Sequence, residues 1–132
     1  MPKINYVKLK PIFKLFSEIK LVYLFGSRAA GKQGPLSDYD FAIYLDSGDK
    51  RKMLDIKLSL YHLLGRALKT DKIDVVIFNL TGQSELKYNI INEGKIIYEI
   101  EPYRLSLEPR VLNEYFDFRA GLLRHKLTKI HL

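Results

Sequence analysis

The sequence predicts an α/β or α+β fold with one central sheet of about four strands, flanking helices and a long C-terminal helix. Short apolar runs, which are typical of buried strands, alternate with segments whose apolar residues recur every three or four positions, the period of a helix. Glycine and proline fall mainly between these segments, where turns are expected. With 132 residues the chain has room for one compact core, so we expect a single domain over 1–132.

The first third of the chain is predicted to hold one helix and two strands. Residues 9–19 carry apolar side chains at helical spacing, with Pro11 in the first turn, and predict a helix. The apolar run 21–25, ended by Gly26, predicts a buried strand. Residues 26–37 contain three glycines and a proline and predict a loop, and 40–45 predict a second strand.

The rest of the chain alternates in the same way. Capping residues over 46–49 precede a predicted helix over 50–69, and the apolar run 73–78 predicts a third strand. Thr81 is expected to cap a helix that Gly94 ends, and 95–99 predicts a short fourth strand. A helical tail follows over about 103–132; its long helix is expected after Pro109. The aromatic residues of that helix are expected to be core: Tyr115, Phe116 and Phe118.

Charge and composition limit the function classes. The chain has 22 Lys and Arg against 15 Asp and Glu, a net charge of +7, which attracts nucleic acid, nucleotides or an acidic protein. A solvated lysine-rich surface explains the charge equally well. The absence of cysteine excludes disulfides, cysteine-ligated zinc and cysteine nucleophiles. The N-terminus does not resemble a signal peptide and no apolar run approaches the ~20 residues of a membrane span, so we expect a cytoplasmic protein without membrane contact.

Three aspartates carry the strongest chemical signal. Asp38 and Asp40 are two apart where the second strand begins, so their side chains are expected on one face of the sheet. Asp74 lies at the start of the third strand and is able to reach the same face. Carboxylate pairs repel unless a cation separates them, and Mg²⁺ accepts such oxygen ligands together with substrate phosphates. Three carboxylates around one point can hold two metal ions about 4 Å apart for displacement at phosphorus.

A phosphate-binding loop is predicted directly before these aspartates. Gly26 and Ser27 follow the first strand, where a glycine allows close backbone approach and amide and hydroxyl groups donate to phosphate oxygens. Arg28 and Lys32 supply nearby positive charge. The same stretch resembles most of a P-loop, but Gln33 occupies the position of the magnesium-binding hydroxyl, which argues against that fold.

The pattern G-S-x10-D-x-D, followed by an aspartate on the next apolar strand, resembles the polymerase-β-type nucleotidyltransferases. Within that superfamily the chain is most similar to the minimal nucleotidyltransferases, or MNT proteins. The resemblance extends over a core of about 21–99, and the small size agrees with it.

The resemblance implies a mixed sheet, two Mg²⁺ ions held by Asp38 and Asp40, and Asp74 as further metal ligand or general base. It implies triphosphate binding at Gly26 and Ser27, with ATP as substrate. MNT proteins are antitoxins of HEPN-domain ribonuclease toxins and transfer AMP to a toxin tyrosine with release of pyrophosphate. One departure is Ala30, where the family often has a second arginine; Lys32 is a candidate to replace its charge.

Three functions follow from these observations. The first is an adenylyltransferase antitoxin in a heteromeric complex with a HEPN toxin. The second is an antitoxin that neutralises the toxin by binding alone. The third is a nucleotidyltransferase acting on a small molecule such as an antibiotic, although no added substrate domain is visible. Direct binding of nucleic acid is not expected.

Overall fold

A mixed four-stranded sheet with helices on both faces forms the centre of the protein. The computed structural model describes residues 6–26, 29, 31 and 38–130, with side chains up to residue 126. A 3-10 turn at Tyr6–Leu9 precedes the following elements in chain order: α1 (Lys10–Lys14), β1 (Ile19–Phe25), β2 (Tyr39–Leu45), α2 (Lys50–Leu68), β3 (Ile73–Ile77), α3 (Ser84–Glu93), β4 (Lys95–Glu99) and α4 (Tyr103–Ile130). The predicted fold class is confirmed.

The strands lie in the order β3-β2-β1-β4. β1 is antiparallel to both β2 and β4, whereas β2 and β3 are parallel and joined by the crossover helix α2. Phe25, the last residue of β1, pairs with Asp40 of β2, and Asp40 pairs in turn with Asp74 of β3. The end of β1 and the beginnings of β2 and β3 therefore meet at one end of the sheet.

Both faces of the sheet are covered, which explains the continuous apolar run in β1. Val22 and Leu24 face one core with α1 and α2, while Leu21 and Tyr23 face the other with α3 and α4. All four side chains are at most 1% exposed. A strand buried on both faces has no polar alternation, so its sequence is apolar throughout.

Helix α2 occupies the span predicted from the helical spacing of Leu54, Leu58, Tyr61, Leu64 and Leu68, but of this apolar stripe only Leu64 is fully buried. Met53, Ile56 and Leu60 are buried, whereas Leu58 is 67% exposed. Both stripes have helical spacing, and the sequence alone does not decide which one meets the sheet. As a result Tyr61 lies at the margin of the core, half-buried beside β3.

The predicted helix over 9–19 is wrong in extent. Helix α1 ends at Lys14, where the amides of Leu15 and Phe16 bond to carbonyls three residues back and tighten the chain. Ile19, assigned to the helix from its spacing, is the buried first residue of β1. Burial in the sheet outweighed the local helical pattern.

The predictions for the C-terminal helix need two corrections. Helix α4 begins at Tyr103 and passes through Pro109, whose missing amide leaves the carbonyl of Leu105 without its helical donor. Leu105 is 79% exposed, so water can solvate that carbonyl. Phe116 and Phe118 are 59% and 41% exposed, although the sequence predicts them in the core.

No described helix, α4 included, is long and apolar enough to cross a membrane.

Capping at the other helices is partly as predicted. Asp49 caps α2 by accepting hydrogen bonds from the amides of Arg51 and Lys52, and Gly94 ends α3 as expected. Thr81 does not cap α3, which begins at Ser84; its hydroxyl oxygen accepts a hydrogen bond from the amide of Gln83.

A side-chain amide ends the pairing between β2 and β3. Asn79 accepts a hydrogen bond from the Leu45 amide at 2.9 Å and donates to the Leu45 carbonyl at 2.7 Å. Leu45 is only 1% exposed, so these backbone groups have little access to water. Leu45 lies beyond the part of β2 that pairs with β3. Asn79 thus supplies the hydrogen-bond partners of the Leu45 amide and carbonyl that a strand would otherwise supply.

Replacing Asn79 with alanine is expected to lower the free energy of unfolding by about 1–3 kcal/mol, because the Leu45 amide and carbonyl lose their partners. Urea denaturation followed by circular dichroism measures the change. Asn92→Ala, at an exposed position of α3, is the control and should change stability little. Equal stabilities for the two variants would contradict this role of Asn79.

Candidate active site

The first two aspartates lie where β2 begins. Tyr39 points into the core and is 7% exposed, while Asp38 before it is exposed and Asp40 after it is half-buried. The amide of Tyr39 donates to the carbonyl of Lys72 at 2.8 Å, which anchors the start of β2 beside the start of β3. This alternation places both carboxylates on the face of the sheet opposite the α1–α2 core, as the spacing predicts.

The third aspartate lies beside Asp40 on the neighbouring strand. Asp74 is exposed and is the parallel partner of Asp40. Burial raises the pKa of Asp40, and the negative charges of Asp74 and then Asp38 raise it further. The two neighbours therefore lie close enough for their charges to act on Asp40.

Gly26 brings the backbone against Asp40. It follows β1 with a φ of +76°, in the left-handed region that favours glycine, and a Cβ there would collide with Oδ2 of Asp40. No larger residue fits this position without moving the carboxylate. The structure thus gives Gly26 a steric reason that is independent of phosphate binding.

Asp74 has a partner that the sequence analysis missed. The hydroxyl of Tyr61 donates to Oδ1 of Asp74 at 3.0 Å and accepts a hydrogen bond from the amide of Val75 at 3.1 Å. Tyr61 belongs to the apolar stripe that predicts α2, so its polar end gave no separate signal. Only the position of α2 against β3 reveals the contact.

Three carboxylates do not gather into one ligand cluster. Within the described ranges, no group of three or more aspartate, glutamate or histidine side chains is placed to hold a metal ion. Asp38 and Asp40 still offer the oxygen donors that Mg²⁺ accepts, and the raised pKa of Asp40 shows that a nearby cation would be favourable. The donor set therefore fits magnesium through this pair, with Asp74 bonded to Tyr61.

The remaining predicted site residues fall in the loop after β1. Gly26 is described and adjoins Asp40. Ser27, Arg28 and Lys32, together with Ala30, lie outside the described residues. Their assignment to the nucleotide rests on the sequence.

Comparison with known proteins places this site in a family. The family model described as polymerase beta, nucleotidyltransferase, matches residues 7–103, a span that holds Gly26 and all three aspartates. The chain belongs to this nucleotidyltransferase family. Its class of activity is therefore nucleotidyl transfer, and the resemblance to minimal nucleotidyltransferases is confirmed.

The chain is also similar to one curated relative and to two solved structures. Protein adenylyltransferase MntA of Aphanizomenon flos-aquae (strain 2012/KM1/D3) is 33% identical over 120 residues, which cover 85% of this chain and 73% of the relative. A crystal structure of a toxin–antitoxin with AMP-PNP has a TM-score of 0.75 at 19% identity and covers 98% of this chain and 100% of its own. A structure of the tri-AMPylated Shewanella oneidensis HEPN toxin in complex with MNT antitoxin has a TM-score of 0.70 at 18% identity, with 97% of each chain covered. At these identities the two structures establish the shared fold.

Substituting alanine for Gly26 is expected to lower both stability and nucleotidyl transfer. The added Cβ requires a left-handed backbone and displaces the Asp40 carboxylate. Thermal melting and transfer assays measure the two effects. Gly31→Ala is the matched control, because Gly31 has a φ of +72° but open space around its Cβ position. If both substitutions reduce transfer equally, contact with Asp40 does not explain why position 26 requires glycine.

Asp40→Asn is expected to stabilise the free protein at pH 7 by about 0.5–2 kcal/mol, the usual range for stabilising substitutions. The folded state raises the pKa of Asp40, so it binds the proton more tightly than the unfolded chain does. The charged carboxylate therefore opposes folding once the pH exceeds the raised pKa, and the penalty vanishes below the ordinary carboxyl pKa. Denaturation at pH 7 and pH 3 without divalent cations tests this; a gain that does not depend on pH would contradict it.

Proposed function

We propose that the chain is an antitoxin that transfers AMP from ATP to a tyrosine hydroxyl of a HEPN-domain toxin and releases pyrophosphate. The observation that carries the proposal is the pairing of Asp40 with Asp74 beside Gly26, in a chain of the nucleotidyltransferase family. The 33%-identical relative is a protein adenylyltransferase. A tri-AMPylated toxin and an AMP-PNP complex among the structures of this fold support the acceptor and the nucleotide.

We propose that Asp38 and Asp40 hold Mg²⁺. When bound, magnesium neutralises charge on the triphosphate and on the leaving pyrophosphate. The position of the pair at the strand start leaves the two carboxylates outside the apolar core, where substrate phosphates have access. Gly26, Ser27, Arg28 and Lys32 are proposed to bind the triphosphate, with Lys32 supplying the positive charge that Ala30 lacks.

Asp74 is proposed as the general base. The tyrosine hydroxyl oxygen of the toxin attacks the α-phosphorus, and Asp74 accepts the hydroxyl proton. A new phosphorus–oxygen bond forms to the tyrosine while the bond to the bridging oxygen of the β-phosphate breaks. AMP remains on the tyrosine and pyrophosphate leaves with the bonding electrons. Asp74 suits this role because it is exposed next to Asp40 and its Oδ1 already accepts a hydrogen bond from the Tyr61 hydroxyl.

The site is proposed to function within one domain, 1–132, in the cytoplasm, where ATP and the toxin are available together. The net charge of +7 is suited to an acidic surface on the toxin as well as to the triphosphate.

Incubating the chain with ATP, Mg²⁺ and a cognate HEPN protein is expected to add one or more AMP units to that protein. Intact-mass spectrometry detects the addition, and peptide mapping locates it on tyrosine. Asp40→Asn should lower the transfer rate by at least about 100-fold, since removing an essential charged group typically costs that much.

Asp46→Asn is the matched control, because Asp46 follows the other end of β2 and bonds to Tyr103. It should retain transfer. Absence of any mass gain with wild-type protein would contradict adenylyl transfer. If a stable complex still neutralised the toxin, binding alone would be the function. Modification of a small molecule instead of the toxin would support the third alternative.

A further inference from the structure

We propose that Tyr61 is a positioning residue that holds the Asp74 carboxylate for proton transfer. The inference rests on the proposed function, in which Asp74 is the base. Its basis is the double hydrogen bond of the Tyr61 hydroxyl, which donates to Oδ1 of Asp74 at 3.0 Å and accepts from the Val75 amide at 3.1 Å. One hydroxyl thus connects the catalytic side chain to the backbone of the strand that carries it.

The position of β3 explains why the Val75 amide is available. Among the described strands β3 is the outermost on its side of the sheet, so half of its amides face away from β2. The Tyr61 hydroxyl satisfies one of them. The sheet holds the Val75 amide in place, and the hydrogen bond from this amide holds the hydroxyl oxygen of Tyr61. The hydroxyl proton is then directed to the Asp74 carboxylate, its acceptor in the structure.

The charge on Asp40 explains why Asp74 needs such a support. The two aspartates are paired residues on adjacent parallel strands, so their like-charged side chains lie side by side. An exposed carboxylate next to a like charge would turn toward solvent if nothing held it. The bond to Tyr61 occupies one carboxylate oxygen and leaves the other for the proton of the acceptor.

Tyr61 keeps its proton under working conditions. Its hydroxyl is the donor to Oδ1 of Asp74, and a tyrosine hydroxyl ordinarily ionises only near about pH 10. The hydroxyl therefore remains a donor to the carboxylate at neutral pH and does not compete with the acceptor tyrosine as a nucleophile in its ionised form.

The test compares Tyr61→Phe with Tyr103→Phe. Tyr103 also donates from its hydroxyl to an aspartate, Asp46, at 2.8 Å, but away from the site. We expect Tyr61→Phe to lower kcat for AMP transfer by about 10- to 100-fold, the usual effect of removing a group that orients a catalytic one. The KM for MgATP should change by less than about threefold, because nucleotide binding does not use Tyr61. Tyr103→Phe should leave both constants near wild type.

A double-variant cycle separates positioning from a merely structural role. In an Asp74→Asn background, where the base is absent, Tyr61→Phe should cause no further loss of kcat. An equal fractional loss in both backgrounds, or a kcat for Tyr61→Phe equal to that of Tyr103→Phe, would overturn the inference. Thermal melting of both single variants is the control for folding, and both should melt cooperatively.

A measurement without substrate distinguishes failure of this inference from failure of the proposed function. NMR coupling constants of the Asp74 side chain should indicate one rotamer in the wild type and averaging in Tyr61→Phe. Averaging in the variant together with no AMP transfer by the wild type would reject the proposed function while keeping the positional role of Tyr61. Identical couplings in both proteins would overturn the positional role whatever the activity.

Discussion

Repulsion between Asp40 and Asp74 is an unfavourable contribution to the free energy of folding that other interactions in the structure must offset. Parallel pairing of β2 with β3 sets the two carboxylates side by side, and the pKa of Asp40 is raised by burial and by its acidic neighbours. The arrangement opposes folding in the free protein and favours a cation. Stability must therefore come from the rest of the fold.

The doubly covered sheet supplies that stability. β1 lies between β2 and β4, and its residues Leu21 to Leu24 are buried on both faces of the sheet. Its last residue pairs with Asp40, and Gly26 follows immediately with a backbone that only glycine adopts easily. The acidic side chains thus lie at the end of a sheet whose adjoining strand is well packed on both faces.

Sequence patterns predicted the parts of the fold that depend on local chemistry. Strand runs, the Asp49 cap and the Gly94 end of α3 follow from residue type and spacing. The limits of α1 and the exposure of Phe116 were mispredicted, because they depend on which surface the packed sheet offers. Local periodicity does not contain that information.

In the candidate site, too, some residues are predictable from local sequence and others only from the packed structure. The three aspartates and Gly26 were found from their types and spacing, and the structure brings Asp40, Asp74 and Gly26 together at one end of the sheet. The contact of Tyr61 with Asp74 was not predictable, because it joins residues 13 apart through the packing of a helix on an edge strand. Ser27, Arg28 and Lys32 remain assigned from sequence alone.

The alternation in β2 has a consequence for how this protein tolerates insertions and deletions. Tyr39 is buried in the core, whereas Asp40 faces Asp74, and Asn79 fixes the far end of the strand through Leu45. A slip of one residue along β2 would bury a carboxylate and place a phenol ring between the strand ends. Changes in chain length within this strand would therefore disrupt the core and the acidic site together, so lineages of this enzyme should keep the length of β2 constant.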